Sequence, residues 1–261
     1  MQVSLDLTWV VVGLILTLRL SILAALLPLL SGLSVPPVWR LALAVCLAAA
    51  TAPAVAAELA PAAFDLTWHG LLAEGMRSLV VSALLTFVIG IPFAAVRFAG
   101  TMIGVQIGFG MVNTLDPQSG GQLSVLANLY YLLAVLLFFA LDGHHALIGA
   151  MVNSCRLVPP FAPLEVAAGS WLAAEGFAAF FAIGLRVAAP VILVLLLVSV
   201  AMGFIVKTVP QINILVVGFP IKIAVGLAAL GVSLTFFNQV FQSLVGGMEQ
   251  EIVSLLGALQ G

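Results

Sequence analysis

Residues 177–206, FAAFFAIGLRVAAPVILVLLLVSVAMGFIV, form a run of thirty positions with a single charge, Arg186. Further apolar runs lie at roughly 7–30, 41–57, 78–96, 123–141 and 212–237. A soluble domain is about 25% charged, whereas this chain is 7% charged and 64% hydrophobic. Eight basic and ten acidic side chains cannot clothe 261 residues in water. In lipid, a backbone that supplies all its own hydrogen bonds within each segment is helical. The chain therefore reads as an all-α, polytopic membrane protein or a subunit buried in a membrane assembly. A net charge of −2 with no basic stripe argues against nucleic acid as a partner.

A spanning helix needs about 20 apolar residues at about 1.5 Å each. The run 123–141 fits that length. Residues 177–206 would reach about 45 Å as one helix, with breaks expected at Gly184, Pro190 and Gly203. The run 41–57 is short and mostly alanine, so it would insert weakly in lipid. Runs too long, too short or too small for lipid point to burial against other protein.

If the six runs alternate across a membrane, one face carries Asp6, Glu58, Asp65, Glu74, Asp142, Glu165, Glu175, Glu249 and Glu251 with only Arg77 and Arg156. The other carries Arg40, Arg97 and Lys207 against Asp116. Counting bases puts the second face in the cytoplasm and both termini outside it. The first run follows Asp6 with no preceding base, unlike a secretory signal, and is read as retained. Arg19, Arg186 and Lys222 remain inside apolar runs, where a charge costs at least about 2.5 kcal/mol at a helix centre. Snorkelling to a headgroup suits Arg19. Glu175 and Arg186, eleven residues apart on one helix face, are expected to pair with partner chains. The two cysteines, Cys46 and Cys155, read as small buried hydrophobes rather than a disulfide framework.

Between two of the runs sits GFGMVNTLDPQSGGQ, residues 108–122. Asp116–Pro117 favours a turn and Gly120–Gly121 a free reversal. Such backbone cannot face lipid, because its polar groups would go unpaired. A lumen-facing or gating loop is the sharper reading, and an exposed connector the alternative. Upstream, Gly100, Gly104 and Gly108 are spaced by four, a pattern that lets another helix backbone come close.

Asp142, His144 and His145 form the only cluster of chemical interest. Adjacent histidines point about 100° apart on a helix, so an interfacial turn is a better reading than a metal or proton site. No phosphate-binding, zinc-protease or nucleophile-elbow motif occurs. Neither an enzyme nor a proton-coupled carrier is indicated, and no cofactor or metal is called for. The tail aligns Phe241, Leu244, Val245, Met248, Ile252, Leu255, Leu256 and Leu259 on one stripe, with Glu249 and Glu251 opposite. Without a base for anionic lipid, that stripe is expected to dock on partner helices.

The order PLLSGLSVPPVWRLALA, GVQIGFGMVNTLDPQSGGQ, LFFALDGHH and VPQINILVVGFPIK resembles the FliR family of flagellar biosynthetic proteins over essentially the whole chain. These are components of the type III secretion export gate, with an injectisome counterpart, SctT. The resemblance implies a FliP-like front half, residues 1–176, followed by a FliQ-like hairpin and amphipathic tail, residues 177–261. It implies assembly with FliP and FliQ into a pore-containing complex of the bacterial inner membrane and flagellar basal body. Much of that complex would be raised toward the periplasm. The family's plug loop maps onto 108–122, carried by Gly108, Phe109, Gly110, Met111, Asn113, Asp116, Pro117 and Gln118. The hairpin tip maps onto Lys207, Pro210, Gln211, Asn213, Pro220 and Lys222, facing the cytoplasmic partner FlhB. Unfolded export substrates would pass through the pore. A small solute channel or carrier, and a subunit that only seeds assembly, are the rival readings.

Overall fold

A computed structural model describes residues 7–27, 35–58, 67–109, 125–161, 164, 167–211 and 213–259. Among them no strand occurs, and seven helices are described. They are α1 (Leu7–Leu26), α2 (Pro37–Glu58), α3 (Trp68–Ile107), α4 (Val125–Ala140), α5 (Gly143–Leu157), α6 (Ala167–Thr208) and α7 (Ile214–Ala258). Four are long and apolar enough to cross a membrane, or five if α4 and α5 form one bent span. The chain is an all-α polytopic membrane protein.

The expected breaks at Gly184, Pro190 and Gly203 do not occur, because α6 runs unbroken through all three. A proline inside a helix forfeits one hydrogen bond and crowds the preceding carbonyl, at about 3 kcal/mol. Burial offsets that loss: Val187, Ala188, Val191 and Leu195 are each no more than 2% exposed. The same holds at Pro92 in α3, beside buried Phe93, Ala95 and Val96. With 40, 42 and 45 residues, α3, α6 and α7 extend along their axes about 60, 63 and 68 Å, against about 30 Å of hydrocarbon. The tail belongs to α7 rather than to a separate helix. Phe241, Val245, Met248, Ile252, Leu255, Leu256 and Leu259 on its stripe are all buried within this chain. That corrects the expectation of docking on partner helices, since the chain's own helices already cover the stripe.

The chain divides into two compact units, Met1–Ile91 with Asp142–Phe177 and Gly246–Gly261, and Pro92–Leu141 with Ala178–Val245. The first unit is organised around a buried charge. Arg19, fully buried, donates from Nη2 to Glu74 Oε1 at 3.3 Å. From Nη1 it donates to the carbonyls of Ser154 at 2.9 Å and Val158 at 3.0 Å, with Cys155 Sγ at 3.6 Å. Those carbonyls end α5, so the guanidinium caps the negative end of that helix. Arg19 therefore does not snorkel. Its reach is used inward, where a carboxylate and two carbonyls replace water.

Glu74 is 2% exposed and accepts four donors. Besides Arg19 these are Arg77 Nη1 at 3.3 Å, Ser78 Oγ at 3.4 Å and the Phe161 N–H at 2.8 Å. The Phe161 bond fixes the turn after α5, where Phe161 holds a positive φ of 62°. Ser82 Oγ donates to the Arg19 carbonyl at 3.0 Å, tying α3 to α1 once more. Around this centre α1 and α2 pack on one another, and Leu16, Leu20, Leu47, Thr51 and Met151 line the seam with α5. Cys155 is buried, but α2 leaves Cys46 exposed, so the reading of both cysteines as buried hydrophobes is corrected for Cys46.

The second unit has an aromatic core. The Phe93 ring meets Tyr131, Phe138 and Phe241 edge-on, at centroid distances of 6.4, 5.4 and 5.9 Å. Tyr130 stands edge-on to Phe237 at 5.3 Å, with its hydroxyl 3.4 Å from Ser233 Oγ. Arg97 lies 4.7 Å above the Tyr131 ring, a cation–π contact. Gly184 on α6 leaves the space that Phe98 fills; an added Cβ would sit 2.7 Å from Phe98 Cδ1. At Gly100, α3 and α4 meet backbone to backbone: an added Cβ would lie 2.6 Å from Ala127 Cα and 2.7 Å from Leu126 O.

These contacts make stability testable at two places. Removing one partner of a buried pair costs about 3–5 kcal/mol. Glu74→Leu strands two guanidiniums and should cost that much, whereas Arg19→Leu leaves Glu74 its Arg77 and should cost less. Cys155 is fully buried beside Arg19. Its reactivity toward a thiol dye on heating, in a Cys46→Ser background, reads both effects; an unchanged midpoint for Glu74→Leu refutes the arrangement. By the same assay Gly100→Ala should cost about 1–3 kcal/mol through overpacking. Gly231→Ala, where a methyl meets nothing within 4 Å, should instead gain up to about 1 kcal/mol.

A candidate site at the root of the polar loop

The polar loop leaves α3 through a defined helix stop. Gly108 has φ 111°, a conformation glycine adopts without penalty. Its N–H donates to Val105 O at 3.1 Å, and the Phe109 N–H reaches back to Gly104 O at 3.0 Å. Together these are the two bonds of a Schellman stop. A free coil would have left those carbonyls unpaired in an apolar setting. Gly104 thus supplies the acceptor for the exit, while Gly100, two turns before Gly108, admits α4.

The start of α7 closes over this exit. An added Cβ at Gly108 would lie 2.9 Å from Phe219 Cε1 and 3.0 Å from Cδ1, so the Phe219 ring rests against the turn itself. Lower down, Gly226 lets α7 approach Ile107, the last helical residue; an added Cβ would meet Ile107 Cγ1 at 2.7 Å. The loop is therefore hung from three clamps: Gly100 on α4, Ile107 on Gly226 and Gly108 on Phe219. Gly110, Met111, Asn113, Asp116, Pro117 and Gln118 lie outside the described residues, whereas Gly108 and Phe109 are both half-buried.

The hairpin turn is tighter than the span from Lys207 to Lys222 suggests. It takes only residues 209–213, between the end of α6 and the start of α7. Lys207 lies in the last turn of α6, where a cation suits the negative helix end. It is exposed, as are Pro210, Gln211 and Asn213. The Asn213 carbonyl accepts from Val216 N at 3.1 Å and Val217 N at 3.2 Å, opening α7. Pro220 and Lys222 sit inside α7, beyond the turn; Pro220 is exposed and Lys222 half-buried.

Elsewhere the candidates are less organised. Asp142 takes a left-handed φ of 56° before α5, and His145 Nδ1 stands 3.6 Å from Asp142 Oδ1 with both side chains more than 70% exposed. Together with half-buried His144 they offer ligand atoms within 4.8 Å of one another, on an exposed turn. Glu175 and Arg186 are both exposed. Sequence reasoning missed Gly226, which nothing distinguishes among 24 glycines, and the burial of Glu74. Glu74 had one available signal: it stands one turn before Arg77 at the mouth of an apolar run.

Comparison with known proteins covers most of this architecture. The profile of the bacterial export proteins, family 1, matches residues 10–248. The chain is 34% identical over 215 residues to the flagellar biosynthetic protein FliR of Escherichia coli K12, covering 82% of this chain and 80% of that one. It is 31% identical over 219 residues to FliR of Bacillus subtilis 168, covering 82% of each. The surface presentation of antigens protein SpaR of Shigella sonnei is 27% identical over 166 residues, covering 63% of this chain and 64% of its own. A match this long, over helices, loop root and hairpin alike, makes the chain a member of the bacterial export proteins, family 1, among the FliR proteins.

Proposed function

We infer that this chain is an inner-membrane subunit of the flagellar type III protein export gate, helping to form and seal the channel for unfolded flagellar subunits. The observation that carries the sealing role is the clamped loop root. A loop that merely connected two helices would need no stop reinforced from a third helix. Rigid at Gly108 and rich in glycine beyond it, the segment 108–122 suits a seal that yields to a polypeptide and blocks ions otherwise. Glycine-rich backbone rearranges with little steric hindrance.

The gate partners in this reading are FliP and FliQ, with FlhB meeting the exposed turn at Lys207, Pro210, Gln211 and Asn213. The exposed faces of α6 and α7 support a hetero-oligomer. Only 17% of the most apolar stretch of α6 and 22% of that of α7 is buried, against 61% for α3. Helices far longer than a bilayer core support an assembly raised toward the periplasm. No step of this function requires a catalytic group; the driving energy comes from other chains. The injectisome is the second reading, favoured by the 27% identity to SpaR.

Co-expression with its neighbouring membrane genes, followed by native mass spectrometry in mild detergent, tests the assembly. A hetero-oligomer with several small polytopic partners is expected, and a homo-oligomer would favour a solute channel instead. Deleting Met111–Asp116 tests the seal. The complex should still assemble, and the membrane should leak ions; an ion-tight membrane would overturn the sealing role.

A further inference from the structure

Asp142, His144 and His145 lie on the turn into α5, and all three belong to the first unit. On a regular helix, adjacent side chains leave the axis about 100° apart. That spacing argues against a shared ion, but the rings do not keep it. The two imidazole centroids stand 4.2 Å apart, with their planes inclined by 39°. Side-chain torsions have brought the rings side by side.

The carboxylate joins them for a reason set by the backbone. A helix N-cap residue normally sits in the β region and gives its side-chain oxygen to an N–H of the first turn. Asp142 is instead left-handed, at φ 56° and ψ 24°, and its side chain makes no capping bond. Its main chain still holds the turn, because the carbonyl accepts from the His145 N–H at 2.9 Å. The carboxylate is therefore not used up on the helix end, and Oδ1 stands 3.6 Å from His145 Nδ1.

One carboxylate oxygen and one nitrogen from each imidazole all lie within 4.8 Å of one another. Ligands held at about 2.0–2.2 Å around a tetrahedral ion are about 3.4 Å apart. The Asp142–His145 pair already stands near that spacing. The other separations need close by little more than about 1 Å. His145 and Asp142 are exposed and free to make that adjustment, while half-buried His144 anchors the set. Two imidazoles with one carboxylate suit zinc, copper, nickel or cobalt, whereas magnesium and calcium prefer oxygen ligands alone.

We propose that Asp142, His144 and His145 form a binding site for one divalent transition-metal ion, through one carboxylate oxygen and two imidazole nitrogens. Three protein ligands leave coordination positions open to water. The site stands on the geometry of this turn and is independent of the export-gate reading.

The test uses the full chain in mild detergent, carrying an affinity tag without histidine and cleared of metal with a chelator. The chain has three histidines, so His69→Gln leaves this pair as its only imidazoles. Cys46→Ser removes the exposed thiol, and Cys155 is buried. Copper(II) is the probe, with affinity read by equilibrium dialysis and ligand identity by the nitrogen splitting of its electron paramagnetic resonance spectrum. One ion per chain is expected, with splitting from two imidazole nitrogens. His144→Gln and His145→Gln should each weaken binding by about tenfold or more and reduce the splitting to one nitrogen. Asp142→Asn, which tolerates the same left-handed backbone, should weaken binding while both nitrogens remain.

Affinity that none of the three substitutions lowers overturns the proposal, as does a spectrum without imidazole splitting. Asp142→Asn binding as tightly as the parent overturns the three-ligand set. If His144→Gln fails to fold, the exposed His145→Gln carries the same test, and unchanged affinity there overturns the proposal as well.

Discussion

One carboxylate decides whether the first unit can exist in an apolar environment. Glu74 is the counter-charge to fully buried Arg19, the acceptor for the Phe161 N–H, and the partner of Arg77. Without it, Arg19 could not cap α5, and the turn after α5 would lose the bond that holds its left-handed residue. Buried ion pairs gain little net stability over apolar packing of equal volume. What this one provides is selectivity among arrangements. A shift in register of α1, α3 or α5 would separate Nη1 and Nη2 of Arg19 from the carboxylate and the two carbonyls that they reach together.

The second unit solves a different problem with different means. There the requirement is close approach, and glycine at three helix contacts lets α4, α6 and α7 come against α3 while phenylalanine fills the remaining gaps. A loop that must change shape needs a base that does not. The aromatic cluster around Phe93 and the backbone contact at Gly100 form such a base, and the loop begins where they end.

Much of this architecture is legible in the sequence, for identifiable reasons. Long apolar runs mark helices because the bilayer admits few alternatives, and the glycine spacing before the loop points to the α3–α4 contact. Helix ends are less legible. Proline normally stops a helix, but in α3 and α6 burial of the neighbouring residues outweighs the lost hydrogen bond, so Pro92 and Pro190 pass unmarked. The burial of Arg19 is hidden because hydropathy knows only the distance to water. Its partners lie 55 and more residues away in sequence. The tail's apolar stripe announces a buried face, yet a stripe carries no label saying whether its cover is another chain or its own.

The sequence distance between Arg19 and its partners also has a consequence in time. Arg19 leaves the ribosome 55 residues before Glu74 and 135 before Ser154. At about 5–20 residues per second, the last of these arrives roughly 7–27 s later. Until Glu74 follows, roughly 3–11 s behind Arg19, the guanidinium has no counter-charge, and until Ser154 follows it lacks the carbonyls that complete its site. Helix α1 is thus made before the groups that complete its burial. The sequence order of these partners therefore ties the final burial of α1 to acceptors that are synthesised after it.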